Sequence, residues 1–441
     1  MTGSAATAGE GSGGRSGGRR ADHPADHPAD GPADHPTVAR GLGLYLAANL
    51  GSTVGTWVHN LAQGVLVFQQ TGSNTLVGAA NSAQFAGVAL LLPWSGMLAD
   101  RYERRAVVGW FALLCSGCGA AFTVLSATGR ASAASMIALA GLLGLTAAAV
   151  QPAAAALVPL LCRPSRVAQA VTANSLTYTL GRAIGPGLGA ALLAGPGQSW
   201  AFALNAASFA LLAAVMLVVQ PRPQDRAEPR GPAAPRLAEV VADRRIGWML
   251  AAVAALSLAI DPVSTLAPTY AVGVLGSGAG GAGRLMTCFG AGAAVSGAVL
   301  LARRRPTLVQ LAAAAGVLIA GMLGLAAAPS EPVAAVALVV AGAGFVGSST
   351  TAVGIIQLAV DDRLRGRAMA AWSAAYLGVR PVTALLDGAA ADVAGPRIAT
   401  VGSVLPLVLV VGLAWVSLGR GRASSQPGPR GRRAEREEMT A

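Results

Sequence analysis

Gly96-Met97-Leu98-Ala99-Asp100-Arg101-Tyr102-Glu103-Arg104-Arg105 is a knot of charge between two long apolar runs. Five charged side chains fall within residues 100–105. Apolar runs that flank so short a charged stretch read as two membrane helices joined by a tight turn. The apolar side chains face hydrocarbon and the charges stay at the wet surface. Three Arg in the turn place it on the cytoplasmic side.

Composition extends this reading to the whole chain. Of 441 residues, 54% are hydrophobic and only 12% charged, against about 25% charged in soluble domains. The apolar runs are about 20 residues long, enough to cross ~30 Å of hydrocarbon as helices. They are rich in Gly and Ala, which let helices approach closely in lipid. The alternation of a membrane β-strand is absent, so a helical bundle is expected rather than a barrel. The lipid bilayer is the first partner this composition implies.

The formal net charge is +12, and all 32 basic residues are Arg. Most fall in alternate turns, so no nucleic-acid partner is expected. Cys115-Ser116-Gly117-Cys118 has the spacing of metal and redox sites. It lies inside an apolar helix without a second pair or a nearby His, and reads as two packing residues. Residues 1–39 repeat Ala-Asp-His-Pro at 21–24, 25–28 and 33–36. His23, His27 and His35 beside Asp are residue types that bind metals weakly. A disordered cytoplasmic tail is expected there, and no metal or cofactor site is expected in the chain.

Twelve spans are expected, at about 42–68, 75–99, 106–128, 132–157, 167–194, 198–220, 246–274, 284–302, 307–328, 332–358, 367–393 and 397–419. Seventeen Arg fall in the even-numbered turns, and only Arg130, Arg284 and Arg397 in the odd ones. Misplacing one span would reverse that alternation, so an even count with both termini cytoplasmic is expected. The expected organisation is a tail at 1–39, a six-helix half at 40–220, a Pro-rich cytoplasmic linker at 221–245, a second six-helix half at 246–419, and a tail at 420–441. Gly185-Pro186 recurs as Arg380-Pro381 after 195 residues, a trace of internal repetition.

The opening stretch resembles the loop signature G-x-L-A-D-R-x-G-R-R of the major facilitator superfamily, on Gly96, Leu98, Ala99, Asp100, Arg101, Arg104 and Arg105. It departs at Glu103, where the family has Gly. The resemblance implies an all-α membrane transporter of twelve helices in two halves. It also implies that Asp100, Arg101 and Arg105, with Gly96 and Arg104, latch the halves on the cytoplasmic side in one conformation.

Gly181-Arg182-Ala183-Ile184-Gly185-Pro186-Gly187-Leu188-Gly189 resembles the second half of the exporters' motif in span five; Thr172 stands where the motif's upstream Gly belongs. Gly181, Gly185 and Gly189 recur every four residues and make a strip for close helix approach. Pro186 frees the carbonyl of Arg182. With Pro381 in span eleven, these residues are expected to let helices pivot. Gln357, Asp361, Arg365, Gly366, Arg367 and the run Trp372–Pro381 resemble a narrower group, exporters of siderophores such as enterobactin and of macrolide-like drugs. On that resemblance Arg365, Gly366 and Arg367 join the gating residues.

Arg182, Asp261, Arg380 and Asp387 are the expected intramembrane charges, and such charges mark function. Arg380 and Asp387, seven residues apart, share a helix face, close enough to pair directly or through water. Asp261, Asp387 and His59 are the candidate proton carriers; Asp261 has no basic neighbour on its own helix and is therefore favoured, ahead of His59. Asn60 and Gln63 beside His59, with Arg182 and Arg380, are expected to line a substrate cavity. No Walker loop, zinc helix or hydrolase elbow is present, so no enzyme is expected. Proton-coupled export of an amphipathic small molecule from a bacterial cytoplasmic membrane, by a monomer, is the leading expectation. A small-nutrient uptake permease and a non-transporting receptor on the same fold are the alternatives.

Overall fold

The computed structural model describes residues 36–222, 244–301, 306–360 and 365–424. The N-terminal repeats, most of the linker, the C-terminal tail, Arg303 to Arg305, Asp361 and Arg363 lie outside the described residues. So do the side chains of residues 92–100, Asp100 among them, and of 365–367.

Every regular element among the described residues is helical. The first half comprises α1 (Pro36–Thr71), α2 (Asn74–Arg101), α3 (Arg104–Ala127), α4 (Ala133–Leu157), α5 (Val167–Ala194) and α6 (Gln198–Val218). The second comprises α7 (Arg244–Thr265), α8 (Gly278–Leu301), α9 (Leu308–Ala327), α10 (Glu331–Ala359), α11 (Arg365–Leu377), α12 (Arg380–Ala394) and α13 (Pro396–Ser424). Local chemistry sets several starts. Ser132 and Ser135 close a capping box on α4, and Thr307 and Gln310 close another on α9. Among the described residues, seven helical stretches are long and apolar enough to cross a membrane: 104–127, 133–161, 198–218, 246–265, 308–327, 331–359 and 396–417.

Two expected continuous spans are broken. The first, 246–274, runs as α7 to Thr265, then a single turn Ala267–Thr269 and a wide turn Tyr270–Val274. Pro268 has no N–H to offer the carbonyl of Ser264, so the α pattern lapses, and Leu275 N–H closes the wide turn on Tyr270 at 2.8 Å. The second, 367–393, divides into α11 and α12. Pro381 has no N–H for Leu377; in the first turn of α12 that group is not needed. Pro186 lies inside an unbroken α5, so the two related prolines have different outcomes.

Within the first half α2 packs on α4, and α3 on α4 and α6; within the second, α8 and α9 pack on α10, and α7 on α13. Between halves α2 meets α12 and α5 meets α8. Glycines set the distance. A Cβ at Gly78 would stand 2.2 Å from the Ala384 carbonyl oxygen, and one at Gly290 would stand 2.8 Å from Ala183 Cα. One buried cluster joins the halves, with Leu61 and Val65 of α1 against Ile260, Val263 and Leu266.

Candidate functional site

The four charges expected within the membrane converge where the halves meet, but their pairing differs from expectation. Arg380 turns to Asp261 on α7, at 3.6 Å between Nη2 and Oδ1, with side chains 9% and 0% exposed. Asp387 forms no ion pair among the described residues, and its buried Oδ2 has no hydrogen-bond partner. Sequence spacing on one helix pointed to Arg380 and Asp387. The tertiary contact of α12 with α7 supplies Arg380 with a nearer carboxylate.

α2 of the first half wraps this pair. Asn81 Nδ2 donates to Thr265 Oγ1 at 3.2 Å, and Thr265 Oγ1 donates to Asp261 Oδ2 at 2.8 Å. One turn along α2, the ring of Phe85 lies 4.0 Å from the Arg380 guanidinium carbon. Asn81 and Phe85 therefore hold a polar chain whose charges belong to the other half.

Arg182 on α5 has a different setting. Its guanidinium carbon lies 5.1 Å from the Trp57 ring centroid, 5.2 Å from Phe289 and 4.8 Å from Phe345. Tyr376 and Arg380 are its electrostatic neighbours, and it forms no ion pair among the described residues. Phe289, Phe345, Tyr376 and Trp372 continue as a ladder of rings, Trp372 on Tyr376 at 5.5 Å and 7°. A cation on an aromatic face gains about 0.5–2 kcal/mol. The Arg182 side chain is only partly buried, and drawing a cation fully out of water without an anion costs several kcal/mol. A narrow crevice bounded by Trp57, Arg182, Pro186, Met286, Phe289 and Arg380 leaves about 10 Å³ for the centre of a water-sized sphere, room for about one water.

Two cavity candidates and a proton candidate lie elsewhere. His59 is fully buried with its ring edge-on to Phe122 at 4.5 Å and Phe202 at 4.9 Å, and Nε2 3.3 Å from Gln63 Oε1. It belongs to the core of the first half. Asn60 accepts from Gln84 at 3.2 Å.

A carboxylate unnoticed in the sequence bridges the halves. Asp392, in the last turn of α12, accepts from the N–H of Asn74 and of Thr75 at 2.8 and 2.9 Å. It also accepts from Asn74 Nδ2, Thr75 Oγ1 and Ser73 Oγ at 2.7–2.9 Å. α2 has no acid in its own first turn, so its start takes one from another helix. Thr269 Oγ1 donates to Asn74 Oδ1, adding α7's continuation to the cluster. That absence of a local acid at an Asn-Thr helix start was the available signal. The aromatic box had only the scarcity of rings, 5% of the chain.

At the opposite ends of the helices, the Arg-rich turn bonds within its own half. Arg104 Nη1 donates to the Ala156 carbonyl and Arg105 Nη1 to the Val219 carbonyl, both at 3.1 Å. These are the C-terminal ends of α4 and α6, where cations are favoured. Glu103, the departure from the signature, pairs with Arg105 at 3.0 Å. Arg101 is exposed. Gly181, Gly185 and Gly189 face α1: added Cβ atoms would stand 2.5 Å from Thr53 Cγ2, 2.5 Å from Trp57 Cβ and 3.0 Å from Leu61 Cδ2. The other face of α5 meets α8, Gly187 opposite Thr287 and Ala190 opposite Gly283.

Residues 45–380 match the sequence pattern of the Major Facilitator Superfamily. The chain is 30% identical over 369 residues to the enterobactin exporter EntS of Citrobacter koseri, covering 81% of this chain and 85% of that protein. It is 30% identical over 184 residues to the uncharacterized MFS-type transporter YfiS of Bacillus subtilis, which spans only 42% of this chain and 43% of that relative. In three dimensions it resembles a bacterial homolog of the human lysosomal transporter Spinster in an inward-facing, unoccupied conformation. The TM-score is 0.73 at 15% identity, covering 90% of this chain and 100% of the other. A helical chain whose two halves enclose charged residues, and which matches this pattern over most of its length, is a transporter and belongs to the Major Facilitator Superfamily.

Proposed function

We propose that this protein exports an amphipathic small organic molecule, a drug, siderophore or secondary metabolite, by proton-coupled alternating access. The observation that carries the reading is the charge cluster at the junction: Asp261 and Arg380 paired on two helices of one half, Arg182 opposite on the other. Each intramembrane charge costs at least about 2.5–3.5 kcal/mol on insertion scales. A cluster of them between two halves is suited to a site that changes occupancy as the halves move. Twelve spans, cytoplasmic termini, a bacterial cytoplasmic membrane and a monomeric unit complete the proposal. The likeness to EntS and the Gly181–Gly189 motif favour export over uptake.

Asp387 is the proposed proton carrier. It takes up a proton without breaking an ion pair, whereas Asp261 is held by Arg380 and Thr265. Proton and substrate drive the cycle by binding its two states unequally. Gly96, Asp100, Arg101, Arg104 and Arg105, with Arg365, Gly366 and Arg367, are the proposed inner gate. Accumulation of a fluorescent amphiphile in cells tests direction: lower with the protein supports export, higher means uptake, unchanged means no transport. Vesicles with an imposed pH gradient test coupling; loss of uphill movement in Asp387→Asn, with downhill exchange kept, is the expected result.

A further inference from the structure

The charges at the junction do not balance locally. Arg380 has Asp261, but Arg182 has Tyr376 and a second guanidinium as electrostatic neighbours, and no carboxylate within ion-pair reach among the described residues. Its faces are covered by Trp57, Phe289 and Phe345. Ring faces and the neutral Tyr376 hydroxyl stabilise the cation, but no anion meets its N–H edge among the described residues. Arg182 and Arg380 both border the same water-sized void, and the rest of that crevice is largely apolar, with Ile260, Val263, Met286 and Pro186 beside one hydroxyl, Ser264, which donates to the Asp261 carbonyl. The void lacks an oxygen acceptor with negative charge, and its walls suit a flat apolar body. Arg, unlike Lys, presents a planar fork that meets a carboxylate with two parallel hydrogen bonds.

We infer that this crevice recognises the acidic end of its cargo. The substrate is an amphipathic organic anion whose acid group docks on Arg182, with its planar apolar part lying against Trp57 and Phe289. The inference rests on the transport reading and narrows it to a substrate class. Arg380, already held by Asp261, sets the second edge of the acid pocket. The void is too small for the whole ligand in this conformation, so the acid group enters as the halves separate along α5 and α8.

The test uses the full-length protein in phosphatidylcholine nanodiscs and three isosteric probes: 1-naphthoate, neutral 1-naphthamide and cationic 1-naphthylmethylammonium. Calorimetry is expected to show naphthoate binding at least tenfold tighter than the other two. Arg182→Gln is expected to lose that preference, and Arg182→Lys to keep part of it, because the charge remains but the planar fork does not. An unchanged melting temperature in Arg182→Gln shows that the loss is not unfolding. No naphthoate binding, equal binding of the amide or cation, or unchanged naphthoate affinity in Arg182→Gln overturns the inference. Phosphatidylglycerol added to the nanodiscs separates the two sources of an acid group. If it displaces naphthoate through Arg182, the pocket holds lipid and the inference fails. Arg182-dependent binding without gradient-driven movement of any amphiphile would sink the export reading and leave the anion site standing. Export of cations without anion binding would do the reverse.

Discussion

The carboxylate of Asp392 caps the first turn of α2, accepting the Asn74 N–H at 2.8 Å across 318 residues of sequence. The last turn of α12 in one half thereby closes the first turn of α2 in the other. Around it Gly388 packs so closely that a Cβ there would stand 2.3 Å from the Asn74 carbonyl oxygen. The contact therefore joins charge, hydrogen bonds and bare backbone at one end of the bundle, away from the Arg-rich turn of residues 101–105.

Asp392→Ala removes the acceptor and leaves the Asn74 and Thr75 N–H groups to water. A carboxylate at an exposed helix start is worth about 0.3–1 kcal/mol. The balance between closed and open at this end is expected to shift about two- to fivefold toward open. Spin labels at Gln70 and Val393, both exposed, would report a longer distance in the variant. An unchanged distribution would mean that the glycine contacts alone hold this end.

Asp261→Asn leaves the Arg380 guanidinium buried without its anion. Breaking one side of a buried pair costs about 3–5 kcal/mol, so a lower melting temperature is expected. Asp261→Asn with Arg380→Gln removes both charges and is expected to recover at least half of that loss. Equal melting temperatures in the single and double variants would show that the 3.6 Å contact carries no coupling.

Gly185→Leu forces a side chain into α1, where even a Cβ would stand 2.5 Å from Trp57 Cβ and 3.0 Å from the Val54 carbonyl oxygen. Overpacking typically costs about 1–3 kcal/mol, so folded yield and transport are both expected to fall. Gly402→Leu is the control, because nothing lies within 4 Å of a Cβ there. Similar losses in both variants would refute a specific α1–α5 contact.

Asp100→Asn tests the proposed inner gate. Asp100 lies within α2, one residue before its end. The variant is expected to reach the membrane in normal amount, with transport reduced at least tenfold. Wild-type transport by a well-expressed variant would remove Asp100 from the gate.

Spacing along one helix offered Asp387 as a partner for Arg380 and none for Asp261, whereas the fold pairs Arg380 with Asp261. The difference has a physical source. Two turns bring side chains to one face, but they do not say which other helix that face meets. Likewise His59 and Gln63 were rightly placed one turn apart, at 3.3 Å. The sequence could not show that Phe122 and Phe202 would enclose them in the first half's core.

The chain alone determined that it forms apolar helices, roughly where each begins and ends, and that its charges cluster in turns. Those properties follow from hydropathy, glycine spacing and proline chemistry within a few residues. The partner of each buried charge, the aromatic box around Arg182 and the Asp392 cap were decided only when the halves packed. They join residues more than a hundred positions apart. A local pattern gives a helix its faces; only the opposing helix gives each face its neighbour, and in low dielectric that neighbour sets where a charge can rest.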